Sequence, residues 1–314
     1  MGQTVCLGGG LDRYFHGVRL GLGLEPGLYL AENPSVSNRM IFKLLSALSP
    51  LLFVATTNLT IPSEAAAKGP IQKKKESPML WKEMLEKKEF EKDGGTLPYR
   101  LMRPETVEAG KKYPLVIFLH GAGERGTDNE VQLVHGVKDF AKPEARKKYP
   151  CFLVAPQCPQ GKQWVQVPWS AEKHDMPPVP SAPAALLVGL MDELEKNLPV
   201  DLDRVYITGL SMGGYGTWDL LSRQPERFAA AVPVCGGGDE KKAGKMVKVP
   251  IWAFHGAKDE AVPVSRSRNM VGAVNKAGGA AKYTEYPDVG HDSWNGCYAD
   301  PEMMEWLFGQ KRGR

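Results

Sequence analysis

Residues 204–225 constrain the fold more than any other stretch of the chain. Arg204-Val205-Tyr206-Ile207-Thr208 is β-branched and aromatic, the composition of a buried strand. From Met212 through Trp218, Leu220 and Leu221 to Gln224 the spacing is helical, and Pro225 ends it. Between the two lies Gly209-Leu210-Ser211-Met212-Gly213, a G-x-S-x-G pattern. A serine in a turn of this kind is held on a strained backbone, and the flanking glycines leave room for it. Its hydroxyl stands clear of the sheet, and the next N–H faces the same space. The strand before and the helix after distinguish this motif from an ordinary glycine-rich turn.

A covered strand reads as a continuous apolar run. Residues 113–120, ending Val116-Ile117-Phe118-Leu119-His120, are such a run and lead into Gly121-Ala122-Gly123-Glu124-Arg125-Gly126. Strands are also expected over 96–103, 151–155, 229–234, 249–254 and 281–286. Helices are expected over 131–140, 184–197, 265–277 and 301–308. Strands alternating with helices imply a mostly parallel central sheet with helices on both faces, in a single α/β domain over 96–314. Residues 156–183 form a long irregular stretch rich in Pro and Trp, which marks a functional loop. Upstream, Ser77-Pro78 opens a helix with Leu80, Trp81, Met84 and Leu85 on one face, ended by Gly94-Gly95. Residues 68–95 are thus read as a linker and an N-terminal helix.

The N-terminal part reads differently. Residues 40–54 are a short basic start and an apolar run, and Ala65-Ala66-Ala67 follows as an A-x-A pattern. Residues 40–67 are therefore read as a secretory signal peptide, which implies a secreted or periplasmic protein. Residues 1–39 are glycine-rich and without periodicity. They are read as a non-native upstream extension, with translation expected to begin at Met40. The net charge of +4 is modest and the basic residues are scattered, which excludes a nucleic-acid footprint. After removal of the signal no membrane association is expected. Cys151, Cys158, Cys235 and Cys297 show no metal spacing; Cys151 and Cys235, at strand ends, are expected as buried thiols.

A serine nucleophile needs a base, and the base needs an orienting acid. After Ser211 only His255 and His291 remain as bases. His291 follows the last strand in a Gly-His-Asp loop and is the candidate; His255 is expected as a buried turn residue. The acid must lie between Ser211 and His291. Asp259 follows the strand two places beyond the serine's strand and is favoured over Asp239, which follows the intervening one. Two backbone N–H groups are needed for an oxyanion. Met212 supplies one by position, and Ala122 is chosen for the other, with Gly121 and Gly123 as alternatives. Trp164, Trp169 and His174 in the long loop, and Trp294 after the base, are candidates for an acyl or aryl pocket. Arg125 is read first as a structural ion-pair partner, ahead of contact with an anionic substrate group.

With Leu119-His120-Gly121-Ala122-Gly123-Glu124-Arg125-Gly126, Gly209-Leu210-Ser211-Met212-Gly213-Gly214-Tyr215-Gly216, His255-Gly256-Ala257-Lys258-Asp259 and Gly290-His291-Asp292-Ser293-Trp294 in order, the chain resembles the α/β-hydrolase superfamily. More narrowly, it is similar to secreted carboxylesterases grouped with polyhydroxybutyrate depolymerases, feruloyl esterases and prolyl-oligopeptidase-like predicted peptidases. The resemblance covers about residues 96–310. It implies Ser211, Asp259 and His291 as a triad that hydrolyses short-chain or aromatic esters, of feruloyl or acetyl type, through an acyl-enzyme. It implies no metal or organic cofactor, and a small-molecule or polysaccharide-linked ester as partner. The competing readings are a serine peptidase of the prolyl-oligopeptidase type, a polyhydroxyalkanoate depolymerase and, last, a non-catalytic binding module.

Overall fold

Side-chain alternation along the central strands divides the core into two layers. Leu115, Ile117 and Leu119 pack with Ile207, Ala231 and Ala253 on one face of the sheet. Val116 and Phe118 pack with Tyr206, Val232 and Phe254 on the other. A strand buried on both faces in this way must be apolar throughout, which is why residues 113–119 read as a continuous hydrophobic run.

The computed structural model describes residues 80–313. The upstream extension and the signal peptide expected over 1–39 and 40–67 lie outside the described residues, as does the part of the linker-and-helix segment 68–95 that precedes residue 80. Strands β1 (Leu85–Lys92), β2 (Gly95–Met102), β3 (Tyr113–Leu119), β4 (Phe152–Pro156), β5 (Val200–Leu210), β6 (Ala230–Val234), β7 (Trp252–Gly256) and β8 (Lys282–Tyr286) form one sheet in the order β1-β2-β4-β3-β5-β6-β7-β8. Only the β1–β2 and β2–β4 ladders are antiparallel. The helices are α1 (Leu80–Glu83), α2 (Val137–Phe140), α3 (Pro143–Lys148), α4 (Ala182–Asn197), α5 (Met212–Arg223), α6 (Ser265–Lys276), α7 (Trp294–Ala299) and α8 (Pro301–Gly309). The α4, α5 and α6 helices cover the first core layer through Leu187, Leu190, Trp218, Leu221, Met270 and Val274. The α2, α7 and α8 helices cover the second through Phe140, Tyr298, Met303 and Leu307. This is the mostly parallel sheet, helices on both faces, that the alternation predicts. Among the described residues no helix is long and apolar enough to cross a membrane.

Three local expectations are corrected. Of the helix read over 77–93, the described residues form only the four-residue turn α1; β1 follows it and pairs with β2 in a hairpin. The turn is Asp93-Gly94, both at positive φ (52° and 76°), the geometry that matches the twist of a hairpin and that an Asp-Gly pair favours. The helix read over 131–140 is broken at Gly136, whose φ is +71° and whose missing side chain leaves room for the rings of Tyr298 and Phe118. The strand read over 249–254 begins at Trp252 and runs to Gly256. The long loop keeps its irregular character from residue 157 to Ser181, which caps α4 by accepting from the Ala184 N–H. Cys151, Cys158, Cys235 and Cys297 are buried free thiols.

Candidate active site

The site lies at the carboxyl ends of β5, β7 and β8. Ser211 lies between β5 and α5 with φ 53° and ψ −117°, a conformation that costs a non-glycine residue about 1–3 kcal/mol. The fold holds it there: its N–H donates to the Val234 carbonyl at 2.9 Å, and its carbonyl accepts from the Tyr215 N–H at 3.0 Å. Gly213 lets the elbow press against β3, because a Cβ at that position would collide with the Leu119 carbonyl. Backbone cannot yield as a side-chain tip can. Gly213→Ala is therefore expected to destabilise the protein by about 3 kcal/mol or more, read as a lowered urea midpoint.

Three side chains meet at this elbow. His291 Nε2 is 2.8 Å from Ser211 Oγ, and His291 Nδ1 is 2.7 Å from Asp259 Oδ2. Asp259 Oδ1 accepts from the Ala261 and Val262 N–H groups at 2.9 and 2.8 Å, which fixes which oxygen faces the imidazole. The Asp259 side chain is fully buried. Burial alone would raise its carboxyl. Hydrogen bonds from His255 and His291 and from the Val262 N–H outweigh that, and hold it well below the usual carboxylate range. Asp239 plays a different part: its carboxylate accepts from the Lys241 and Met176 N–H groups and ties down the long loop.

His255 is the buried turn residue expected, with a contact that the sequence did not reveal. Its Nε2 faces two acceptors, the Val262 carbonyl and Asp259 Oδ2, both at 3.1 Å, so it carries the proton. Its Nδ1 then accepts from the Ser267 hydroxyl at 2.8 Å. Asp259 is thus held between two imidazoles.

Opposite Ser211, Ala122 opens a short 3-10 turn, as Met212 opens α5. The first N–H groups of a helix have no partner within it. Gly121 brings its backbone close, since a Cβ there would lie 3.6 Å from the Ser211 Cβ. His120 governs this peptide. Its Nε2 accepts from the Cys158 N–H at 2.9 Å, so its Nδ1 is protonated and donates to the Gly121 carbonyl at 2.6 Å. In a trans peptide the C=O and the following N–H point opposite ways, so anchoring the Gly121 carbonyl turns the Ala122 N–H away from His120. Burial pushes the His120 pKa down to about 4, which keeps the ring neutral.

A second layer holds the same loop. Gln157 accepts from the Asn129 N–H at 2.6 Å and donates to the Glu124 carbonyl at 3.3 Å. Arg100, buried on β2, donates to the Asn129 and Leu85 carbonyls at 2.7 and 2.8 Å. Arg125 donates to the Ala122 carbonyl at 2.8 Å and lies over the Trp169 ring. It braces the loop through a backbone carbonyl, where an ion pair was expected.

Ser211 and His291 open on a cleft of about 380 Å³ lined also by Gly121, Ala122, Glu124, His135, Trp169 and Trp294. Trp169 and Trp294, both expected at a pocket, are there. Trp164 is not. It is 1 % exposed, packs against the His120 ring and donates from its indole to the His120 carbonyl at 3.1 Å. Its role is core packing under the loop. Among the described residues, Cys235, Asp259 and His291 form the one cluster with metal-ligand donors close together. Burial pushes the Cys235 thiol far up and keeps it protonated, which makes it a poor ligand.

The strand order, and a serine elbow with its partners on the next strands' carboxyl ends, define an α/β-hydrolase. The family model "Putative esterase" matches residues 91–238, and that of the "Dienelactone hydrolase family" matches 186–296. The chain resembles a solved thermostable esterase at 41 % identity and a TM-score of 0.69, over 74 % of this chain and 64 % of that one. It is 31 % identical to the putative esterase NocK of Nocardia uniformis, over 54 % of this chain and 47 % of that protein. It is 24 % identical to a probable feruloyl esterase C of Aspergillus terreus, over 55 % of this chain and 58 % of the relative. The matches thus span less than two thirds of these relatives' lengths. By these family models and relatives, the chain is similar to the esterase group of the α/β-hydrolases.

Proposed function

We propose that the chain is an exported serine carboxylesterase acting on short-chain or aromatic esters through Ser211, His291 and Asp259. The observation that carries this reading is the unbroken hydrogen-bonded line Ser211–His291–Asp259 at the mouth of a cleft. In this mechanism His291 Nε2 takes the proton from Ser211 Oγ as the oxygen attacks the ester carbonyl. The oxyanion is met by the Met212 and Ala122 N–H groups, and Asp259 stabilises the imidazolium. His291 then returns the proton to the leaving alcohol oxygen. Water, deprotonated by the same imidazole, releases the acid from Ser211. The aryl faces of Trp169 and Trp294 favour a flat or short ester in a cleft of this size.

The test is a rate profile on p-nitrophenyl acetate, butyrate and octanoate and on methyl ferulate, with Ser211→Ala as the blank. Acetate, butyrate or ferulate should lead and octanoate should trail. A chain that cleaves the amide analogue of its best acyl group as fast as the ester is a peptidase, and the ester reading fails.

His120 is assigned as a positioning residue for the oxyanion site. His120→Phe is expected to lower kcat about 10- to 100-fold with KM little changed, since the displaced Ala122 N–H matters most where charge develops. Active sites are counted by organophosphate titration, so that lost folding does not enter kcat. An unchanged kcat per titrated site would remove the assignment.

A further inference from the structure

Asp259 has more donors than its orientation requires. The Ala261 and Val262 N–H groups already fix Oδ1, and with it the plane of the carboxylate. The turn that carries Asp259 is also locked to the loop that carries His291. The Lys258 N–H donates to the Val289 carbonyl at 3.0 Å, and the Ala257 N–H to the Tyr286 carbonyl at 2.9 Å. A Cβ at Gly256 would collide with the carbonyls of Val289 and Gly290. Backbone contacts therefore set the acid against the base without a second imidazole.

His255 nevertheless aims its Nε2 proton at Asp259 Oδ2, the oxygen that faces His291. The ring is fully buried, where an imidazole is costly unless both of its nitrogens are met. Ser267, buried in the first turn of α6, meets Nδ1 at 2.8 Å and lies 3.2 Å from the Gly236 carbonyl. What the second donor changes is the charge that Oδ2 presents. A hydrogen bond to a carboxylate stabilises its ionised form and draws on its negative charge. Less is then left to stabilise an imidazolium at His291.

Other titratable groups lie near this pair. The Cys235 thiol and the Tyr215 phenol stand behind Asp259, and burial keeps both neutral. Glu285 is the β8 partner of His255 and is paired with Arg268 at 2.6 Å. Asp292 follows the base on the surface, and Glu124 and His135 share its cleft. None of these donates to Asp259.

We propose that His255 is a positioning residue that sets the basicity of His291 through Asp259. Its N–H holds part of the carboxylate's charge, and so keeps the imidazole free to accept the serine proton at a lower pH than a bare triad would allow. This inference rests on the triad reading above and extends it by one residue.

The experiment follows kcat/KM on p-nitrophenyl acetate from about pH 4.5 to 9, with active sites counted by organophosphate titration. His255→Leu removes the donor at similar volume, and His255→Gln returns an N–H to the same place. In His255→Leu the acid limb should move up by at least about half a pH unit, which is about a threefold loss on that limb, because the unshared carboxylate holds the His291 proton more tightly. In His255→Gln the limb should stay within about 0.2 unit of wild type. A residue that only packs would change the number of titrated sites and leave the limb in place. An unmoved limb in His255→Leu, a limb moved down, or equal shifts in both variants overturns the proposal. Should His255→Leu fail to fold, Ser267→Ala decides. It removes the hydroxyl that props the ring, and the limb should move up by at least about 0.3 unit; an unmoved limb overturns the proposal. Wild-type protein that hydrolyses no ester, or no faster than Ser211→Ala, defeats the triad reading and the role of His255 with it.

Discussion

Ser211→Ala lowers kcat on p-nitrophenyl acetate by at least about 10⁴-fold and leaves KM within a few-fold of wild type. The size follows from what remains after the substitution. The cleft, the Met212 and Ala122 N–H groups and the His291–Asp259 pair all persist, and they retain the part of catalysis that binding and the oxyanion site supply. The covalent route is gone, because among the described residues no other hydroxyl is hydrogen-bonded to His291 Nε2. The alanine relieves little of the strain at φ 53°, since it too carries a Cβ. Stability should therefore stay close to wild type, and a large fall in the urea midpoint would show that the serine braces the fold instead.

Asp259→Asn should lower kcat by about 10⁴-fold, and the hydrogen bonds around the carboxylate say why. Oδ1 accepts from two backbone N–H groups, so in the variant the amide oxygen stays there. The amide NH₂ then occupies the place of Oδ2 and presents a donor to His291 Nδ1. The imidazole must accept at Nδ1 and carry its proton on Nε2, where it faces Ser211 and cannot take the serine's proton. His255 meets the same NH₂ with its own N–H at 3.1 Å, a second clash of donors that adds instability.

The pH dependence of that instability has a definite sign. The folded-state pKa of Asp259 is depressed, so its contribution is fully present above the ordinary carboxylate pKa of about 4 and is lost as pH falls below it. The stability gap between wild type and Asp259→Asn should therefore narrow as pH drops below about 4, read from urea midpoints across pH 2–7. A gap that widens toward acid contradicts the depressed pKa.

What could be read in the chain beforehand depended on whether its cause was local. The parallel strands carry their own signal, because burial on both faces demands apolar runs such as residues 115–119. The serine elbow is local too. Its partners follow from strand order, and the structure places His291 and Asp259 beside Ser211 at hydrogen-bonding distance. The N-terminal hairpin carries two conflicting local signals: Leu80, Trp81, Met84 and Leu85 imitate a helical face, while Asp93-Gly94 carries the turn chemistry of a hairpin. Trp164 and Trp169 lie five residues apart in one loop, and nothing local separates the buried ring from the one at the cleft. The brace from Arg100 through Asn129 to Gln157 joins residues 28 and 29 positions apart, and its hydrogen bonds are tertiary.

The central claim is that Ser211 is the acylated nucleophile. Diethyl p-nitrophenyl phosphate forms a stable phosphoryl ester with such a serine, and peptide mass spectrometry locates it. The account predicts a single diethyl phosphoryl group on the peptide containing Ser211, appearing in step with loss of ester hydrolysis. In His291→Ala, labelling should be slower by about 10³-fold or more, since the base is gone. Loss of activity with the group on another residue, or full labelling of Ser211 with activity intact, would contradict it.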